Sequence, residues 1–187
     1  MNSDAPNVLL GITGGIAAYK AADLASKLRQ NGLNVTAVMT AAARQFVTAR
    51  TFQYITGNPV VVSLWEPAGG FDPDHVAISE AASVAVVAPA TANIIGKLAN
   101  GIADDALSTI LMAFDGPLII APAMNTQMYN NPAVQRNLQI LRERGARQVG
   151  PGTGWLACGK RGVGRMAEVP EILDAVMAEI DRARPAR

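Results

Sequence analysis

The chain has one histidine and one cysteine, and both sit where they could handle protons. His75 follows Asp72-Pro73-Asp74 and opens a short helical pattern. Imidazole titrates close to neutral pH, so it can take up or release a proton during a reaction; a histidine satisfied by packing is the competing reading. Cys158 lies in the glycine-rich stretch 154–166, beside Lys160 and Arg161. Positive charge there favours the thiolate, although a buried cysteine can equally be inert packing. Between these two positions runs Pro122-Ala123-Met124-Asn125-Thr126-Gln127-Met128-Tyr129, which could set an amide, a thioether and a phenol around a ligand. A neutral amide such as Asn125 donates to a carboxylate without adding charge. Asn130 and Asn131, just beyond, read as caps of the following helix.

A second group of residues points to a bound phosphate. Gly11-x-x-Gly14-Gly15 lies between a strand pattern and a helix pattern, where free backbone N–H groups and the helix dipole favour an anion. A tight turn without a ligand is the alternative. The spacing is not G-x-G-x-x-G, and the second strand ends at Val38-Met39-Thr40 rather than at the acid that binds a dinucleotide ribose. A threonine hydroxyl suits a phosphate oxygen, so a mononucleotide such as FMN fits better than NAD. The chain also lacks G-x-x-x-x-G-K-[ST], which argues against a P-loop nucleotidase.

The elements that must position these groups alternate. Strands are expected at 8–12, 35–39, 60–64, 84–88 and 118–121. Helices are expected at 16–30, 40–46, 51–55, 75–81, 104–114, 133–144 and 170–184, with loops at 65–74 and 151–165. Several strands are apolar on both faces, which implies a mostly parallel sheet covered on both sides. The expected fold is therefore α/β, a three-layer Rossmann-like (flavodoxin-like) arrangement in one domain over 1–187, its core about 7–178. Ligands of such sheets bind beyond the carboxyl ends of the strands, here at loops 13–16, 40–43, 89–93 and 122–131. The long glycine-rich loop 151–165 reads as a lid or binding element.

Composition narrows the function further. Half of the chain is apolar, 17% is charged and the net charge is +1, so there is no electrostatic footprint for nucleic acid. The apolar runs 84–90 and 118–124 are too short to span a bilayer, and the first residues carry no signal-peptide pattern. One cysteine excludes an internal disulfide, and the cytoplasm is the simplest compartment.

Taken together, four blocks make the chain similar to the FMN-dependent flavoprotein cysteine decarboxylases, and among them to those acting in coenzyme A synthesis. The blocks are GITGGIAAYK (11–20), PATANIIGKLANGIADDALS (89–108), PAMNTQMY (122–129) and LACGKRGVGRM (156–166). The resemblance runs from about 8 to about 177. It implies FMN held by Gly14, Gly15, Ile16, Thr40, Phe46, Thr91, Ala92, Asn93 and Ala121. It implies His75, Asn125 and Cys158 as catalytic residues, with Asn125, Met128, Ala157 and Cys158 on the substrate and no metal. The chain departs from the family pattern at Ser83, Glu80, Ile94 and Tyr129. Because Glu80 stands where relatives often carry a basic residue, Lys160, Arg161 or Arg165 is expected to meet the substrate phosphate instead.

The implied reaction is decarboxylation of 4'-phosphopantothenoylcysteine to 4'-phosphopantetheine. Flavin oxidises the cysteine side chain to a thioaldehyde, whose C=S accepts the electrons left by carbon dioxide. The resulting enethiolate is then reduced. The implied assembly is a homotrimer, or a dodecamer of trimers, with the site between subunits and a small-molecule substrate as the partner. No ligase domain of the kind that some bacterial relatives carry is expected within 1–187. The alternatives are a peptide C-terminal cysteine decarboxylase, a flavin prenyltransferase and a non-catalytic regulatory flavoprotein. The PAMNTQMY block is not expected of the prenyltransferase. The final reduction gives Cys158 a role that the peptide enzymes do not need.

Overall fold

The computed structural model describes residues 5–65, 74–157 and 159–183. Its centre is β1 (Asn7–Ile12), whose side chains alternate between two cores, as the pleat of a strand requires. Val8, Leu10 and Ile12 point into one apolar cluster and Leu9 into the other. Beside β1 lie β2 (Asn34–Met39) and β3 (Val84–Ala90), followed outward by β4 (Leu118–Pro122) and β5 (Arg147–Gln148). The order is β2-β1-β3-β4-β5 and every pairing is parallel. The chain leaves β1 toward one edge and returns to β3 on the other side. This is the reversal of strand order at which open α/β sheets bind ligands.

Helices cover both faces. On one side α1 (Ala18–Gln30), α2 (Ala49–Thr56) and α8 (Val169–Ala183) bury Leu24, Leu28, Phe52, Ile172 and Val176 against the sheet. On the other, α3 (His75–Ala81), α4 (Ala92–Asn100), α5 (Ala106–Ala113) and α7 (Pro132–Glu143) contribute Ile78, Ile95, Leu107, Ile110 and Leu138. Most of these helices are stopped or started by local chemistry. Gly57 and Gly101 end α2 and α4 in the left-handed conformation. Asp105 and Ser108 form a reciprocal capping box that starts α5 at Ala106. Among the described residues no helix is long and apolar enough to cross a membrane.

Several expected elements differ. Residues 60–64 do not form a strand. Only Val61 docks beside β2, accepting from Met39 N–H and donating to Ala37 C=O. Residues 40–46 hold one 3₁₀ turn, Ala43–Gln45, rather than a helix. The segment 92–100, between two expected elements, is helix α4, and Thr126–Tyr129 forms the short helix α6. The expected loop 151–165 is a hairpin of β6 (Gly152–Trp155) and β7 (Arg161–Arg165). Most of the expected loop 65–74 lies outside the described residues, as does Cys158.

Candidate functional site

The carboxyl ends of β1, β3 and β4 open into a cavity of about 510 Å³. Its floor is the turn after β1. Gly14 is required there, because a Cβ would lie 2.3 Å from Ala42 Cβ and 2.8 Å from its carbonyl carbon. The loop after β2 therefore rests directly on this turn. Gly15 instead faces open space, with Thr91 Cγ2 the nearest atom at 3.7 Å from where a Cβ would stand.

Thr13, only 2% exposed, ties this floor to the loop after β3. Its hydroxyl donates to Pro89 C=O at 2.6 Å and accepts from Thr91 N–H at 3.2 Å. Ala123 N–H donates to Ala90 C=O at 3.0 Å and joins the loop after β4 to the same frame.

Two helices begin at the cavity with no side chain closing their first turns. Neither Ala17, before α1, nor Thr91, before α4, makes a side-chain cap, and neither first turn carries an acid. By contrast α3, α5 and α7 are capped by Asp74, Asp105 and Asn131. The uncapped N–H groups and the dipoles behind them make both termini receptive to an anion. This cradle, open at Gly15 and edged by Ile16 and Ala92, fits a flavin mononucleotide by shape and polarity.

The hairpin forms the opposite wall. Val163 C=O accepts from Thr126 Oγ1 at 2.6 Å, and Gly164 C=O accepts from Met124 N–H at 2.9 Å. A Cβ on Gly162 would collide with Thr126 Oγ1 and one on Gly164 with Met124 O, at 2.4 and 2.2 Å. The alternate glycines thus let β7 lie flat on the segment that carries Asn125. Asn125 caps α6, its Oδ1 accepting Gln127 N–H at 2.7 Å, which fixes the amide plane at the cavity wall. The hairpin turn is closed by Leu156 N–H to Lys160 C=O, 2.8 Å, and Gly159 N–H to Leu156 C=O, 2.9 Å.

Of the residues expected at the site, Gly14, Gly15, Ile16, Thr91, Ala92, Asn125, Met128, Ala157 and Arg165 line this one cavity. The others are not in its lining. Thr40 accepts Ala43 N–H on its hydroxyl at 3.2 Å, keeping its proton to donate. Phe46 is half exposed behind it, and Ala121 is wholly buried in β4. Asn93, Lys160 and Arg161 face solvent. His75 is half-buried at the start of α3 and is not part of the cavity lining. Cys158 lies outside the described residues, but Leu156 and Ala157 before it are in the wall.

The site also contains residues that sequence reasoning did not single out. Thr13, Tyr19, Lys20, Met124 and Trp155 belong to it. Lys20 stands in the first turn of α1, just beyond the turn that carries Ile16. Among the described residues no group of three or more His, Cys, Asp or Glu gathers as a metal site would require.

The comparisons agree with this geometry. The chain is 44% identical, over 95% of its length, to the coenzyme A biosynthesis bifunctional protein CoaBC of Vibrio vulnificus (strain YJ016), of which it spans 44%. A solved PPC decarboxylase mutant complexed with pantothenoylaminoethenethiol superposes with a TM-score of 0.83 at 34% identity, covering 95% of this chain and 99% of the other. The FMN-dependent cysteine decarboxylase SpaF superposes with a TM-score of 0.79 at 35% identity, covering 94% and 97%. The Flavoprotein family model matches residues 1–181, and with the parallel sheet, the switch-point cradle and the hairpin wall in place, the chain belongs to that family.

Proposed function

We propose that the chain is an FMN-dependent decarboxylase converting 4'-phosphopantothenoylcysteine to 4'-phosphopantetheine in coenzyme A biosynthesis, a carboxy-lyase of the cytoplasm. The observation that carries this reading is the meeting, in one cavity, of the two uncapped helix termini with Asn125 and the residues just before Cys158. Gly14, Gly15, Ile16, Thr91 and Ala92 hold the FMN, with its phosphate on the α1 terminus. Bound flavin supplies a two-electron oxidation of the substrate's thiol-bearing carbon and later returns the hydride.

The chain's own residues do the rest. Asn125 donates its amide N–H to the substrate carboxylate and orients the bond that breaks, adding no charge that would oppose loss of carbon dioxide. Met128 packs on the substrate from the same short helix. The hairpin covers the reacting carbon and excludes water. Cys158, which follows the wall residues Leu156 and Ala157 in the chain, acts as a thiol that gives a proton to the enethiolate carbon skeleton during the final reduction, and the positive charge of Lys160 and Arg161 stabilises the thiolate that this leaves.

His75 assists proton movement during the oxidation. It is not among the residues that line its own chain's cavity, which supports a homotrimer in which His75 of the partner subunit completes the site. The second reading is decarboxylation of a peptide's C-terminal cysteine, with which the likeness to the FMN-dependent cysteine decarboxylase SpaF is equally consistent; a role for Cys158 in the final reduction favours the first. The test is turnover by the FMN-loaded protein. 4'-Phosphopantothenoylcysteine should give carbon dioxide and 4'-phosphopantetheine in equal amounts. Carbon dioxide and enethiol from a peptide ending in cysteine, with no turnover of the small substrate, would replace the first reading by the second.

A further inference from the structure

Among the described residues two charged side chains line the cavity, Lys20 from α1 and Arg165 from β7, and no acidic residue does. Both cations are nevertheless held by one carboxylate just outside it. Glu168 Oε2 lies 3.0 Å from Lys20 Nζ, and its Oε1 accepts from Arg165 Nη2. The backbone of Glu168 is fixed separately. It stands immediately before α8, and its N–H donates to Glu171 Oε2 at 2.9 Å. The acid is thus anchored at its main chain while its side chain reaches across to the cavity.

The three groups differ in what they lose by separating. The Lys20 side chain is only 14% exposed, whereas that of Glu168 is 53% exposed. A largely buried ammonium is costly to leave without a counter-charge. An exposed carboxylate returns to water at little cost. The hydrogen bond from Lys20, with the charges of Lys20 and Arg165, outweighs burial and holds the Glu168 carboxyl below the usual carboxylate range. At neutral pH it is therefore an anion. The movable member of the cluster is the acid.

We infer that Lys20 and Arg165 form a receptor for a phosphate group, and that Glu168 is its built-in occupant, released when a phosphate-bearing ligand enters the cavity. A singly charged ligand would only replace one carboxylate by another. A phosphate carries close to two negative charges and several acceptor oxygens, so it matches both cations at once and the Arg fork in particular. Glu168 therefore sets a threshold that a phosphate passes and a carboxylate does not. The inference rests on the proposed function only in naming the substrate as one source of that phosphate. The cofactor is the other.

The experiment uses the FMN-loaded protein and Glu168→Gln, which keeps the shape and removes the competing charge. KM for 4'-phosphopantothenoylcysteine should fall relative to KM for its unphosphorylated counterpart. The expected change is roughly two- to fivefold, the factor by which an exposed ion pair of about 0.5–1 kcal/mol competes. If the phosphate belongs to the cofactor, the apoprotein variant should instead bind FMN tighter with riboflavin binding unchanged. Calorimetry with inorganic phosphate tests the receptor directly: the variant should bind it more tightly than the parent, and Lys20→Met in the same background should abolish the gain. That measurement needs no turnover, so it separates failure of this inference from failure of the decarboxylase reading. Should Glu168→Gln not fold, Glu168→Asp shortens the reach of the acid and should shift the same ratios in the same direction, by less. Unchanged or weakened phosphate affinity in every arm overturns the inference.

Discussion

Replacing Gly164 by alanine should separate the hairpin from the Asn125 segment, and a matched glycine isolates the cause. Gly164 has φ +131°, a conformation that costs an L-residue about 1–2 kcal/mol. Gly145, after α7, has φ +91° and nothing within 4 Å of the added methyl, so Gly145→Ala carries the backbone term alone. At Gly164 the methyl would also stand 2.2 Å from Met124 O and 3.3 Å from Met124 C. These are backbone atoms, so relief requires β7 or the loop to move. Overpacking of this kind adds about 1–3 kcal/mol.

The total, about 2–5 kcal/mol, corresponds to a loss of roughly 4–20 °C in Tm for a chain of this size. Gly145→Ala should lose roughly 2–8 °C on the same scale. Differential scanning calorimetry gives both numbers, and FMN absorbance after gel filtration reports the cavity. Because the cavity wall shifts only in the first variant, Gly164→Ala should also lower kcat/KM while Gly145→Ala leaves it intact. Equal melting points for the two variants would refute the argument that β7 is seated by direct backbone contact.

Further perturbations follow from the same geometry. Thr13→Val keeps the volume but leaves Pro89 C=O and Thr91 N–H without their buried partner. This should cost about 1–3 kcal/mol by chemical denaturation and weaken FMN retention. Lys97→Met removes the cation that pairs with Asp104 at 2.6 Å and Asp105 at 2.7 Å. The loss should be about 1–2 kcal/mol, below the value of a fully buried pair because Asp104 is exposed. Burial raises the Asp105 pKa, but hydrogen bonds from Lys97 and Ser108 outweigh it and set the carboxyl below its ordinary 3.8. The pair's contribution is therefore complete above about pH 4 and lost as pH falls through the lowered value; in Lys97→Met this acid dependence should shrink in urea titrations across that range. Cys158→Ser should still release carbon dioxide and accumulate the enethiol, and a normal yield of 4'-phosphopantetheine would remove Cys158 from the final step. His75→Asn should keep the FMN spectrum and lose decarboxylation; full activity would exclude His75 from the reaction.

The strands at 8–12, 35–39, 84–88 and 118–121 were legible because strands buried on both faces read as unbroken apolar runs. The run at 60–64 looked the same yet pairs only at Val61, since a short apolar run does not reveal how many residues its neighbour can reach. Helix α4 was hidden by Gly96 and by the strand before it. Its signal was the buried set Ile94, Ile95, Leu98 and Ala99, spaced for one helical face. The hairpin is hidden because a glycine-rich stretch carries the composition of a loop. Gly152 and Gly154, and then Gly162 and Gly164, recur at the period of a strand. Gly162 and Gly164 mark the face pressed against Thr126 and Met124. The glycine turn, Asn125 and Met128 carried chemical signatures of their own. Thr13 and Lys20 did not, because their roles come from neighbours distant in the chain, Pro89 and Glu168.

The two helices that begin uncapped at the cavity have a consequence for how this protein survives. The first-turn donors of α1 and α4 that neither a side chain nor the preceding turn takes up are left for an anion in the cavity. A ligand bound by the native chain alone stabilises it by mass action. Folding and cofactor supply are thus one equilibrium: resistance to heat or proteolysis reads out the free ligand concentration, and a substitution far from the cavity that leaves the chain marginally folded becomes correctable by raising that concentration.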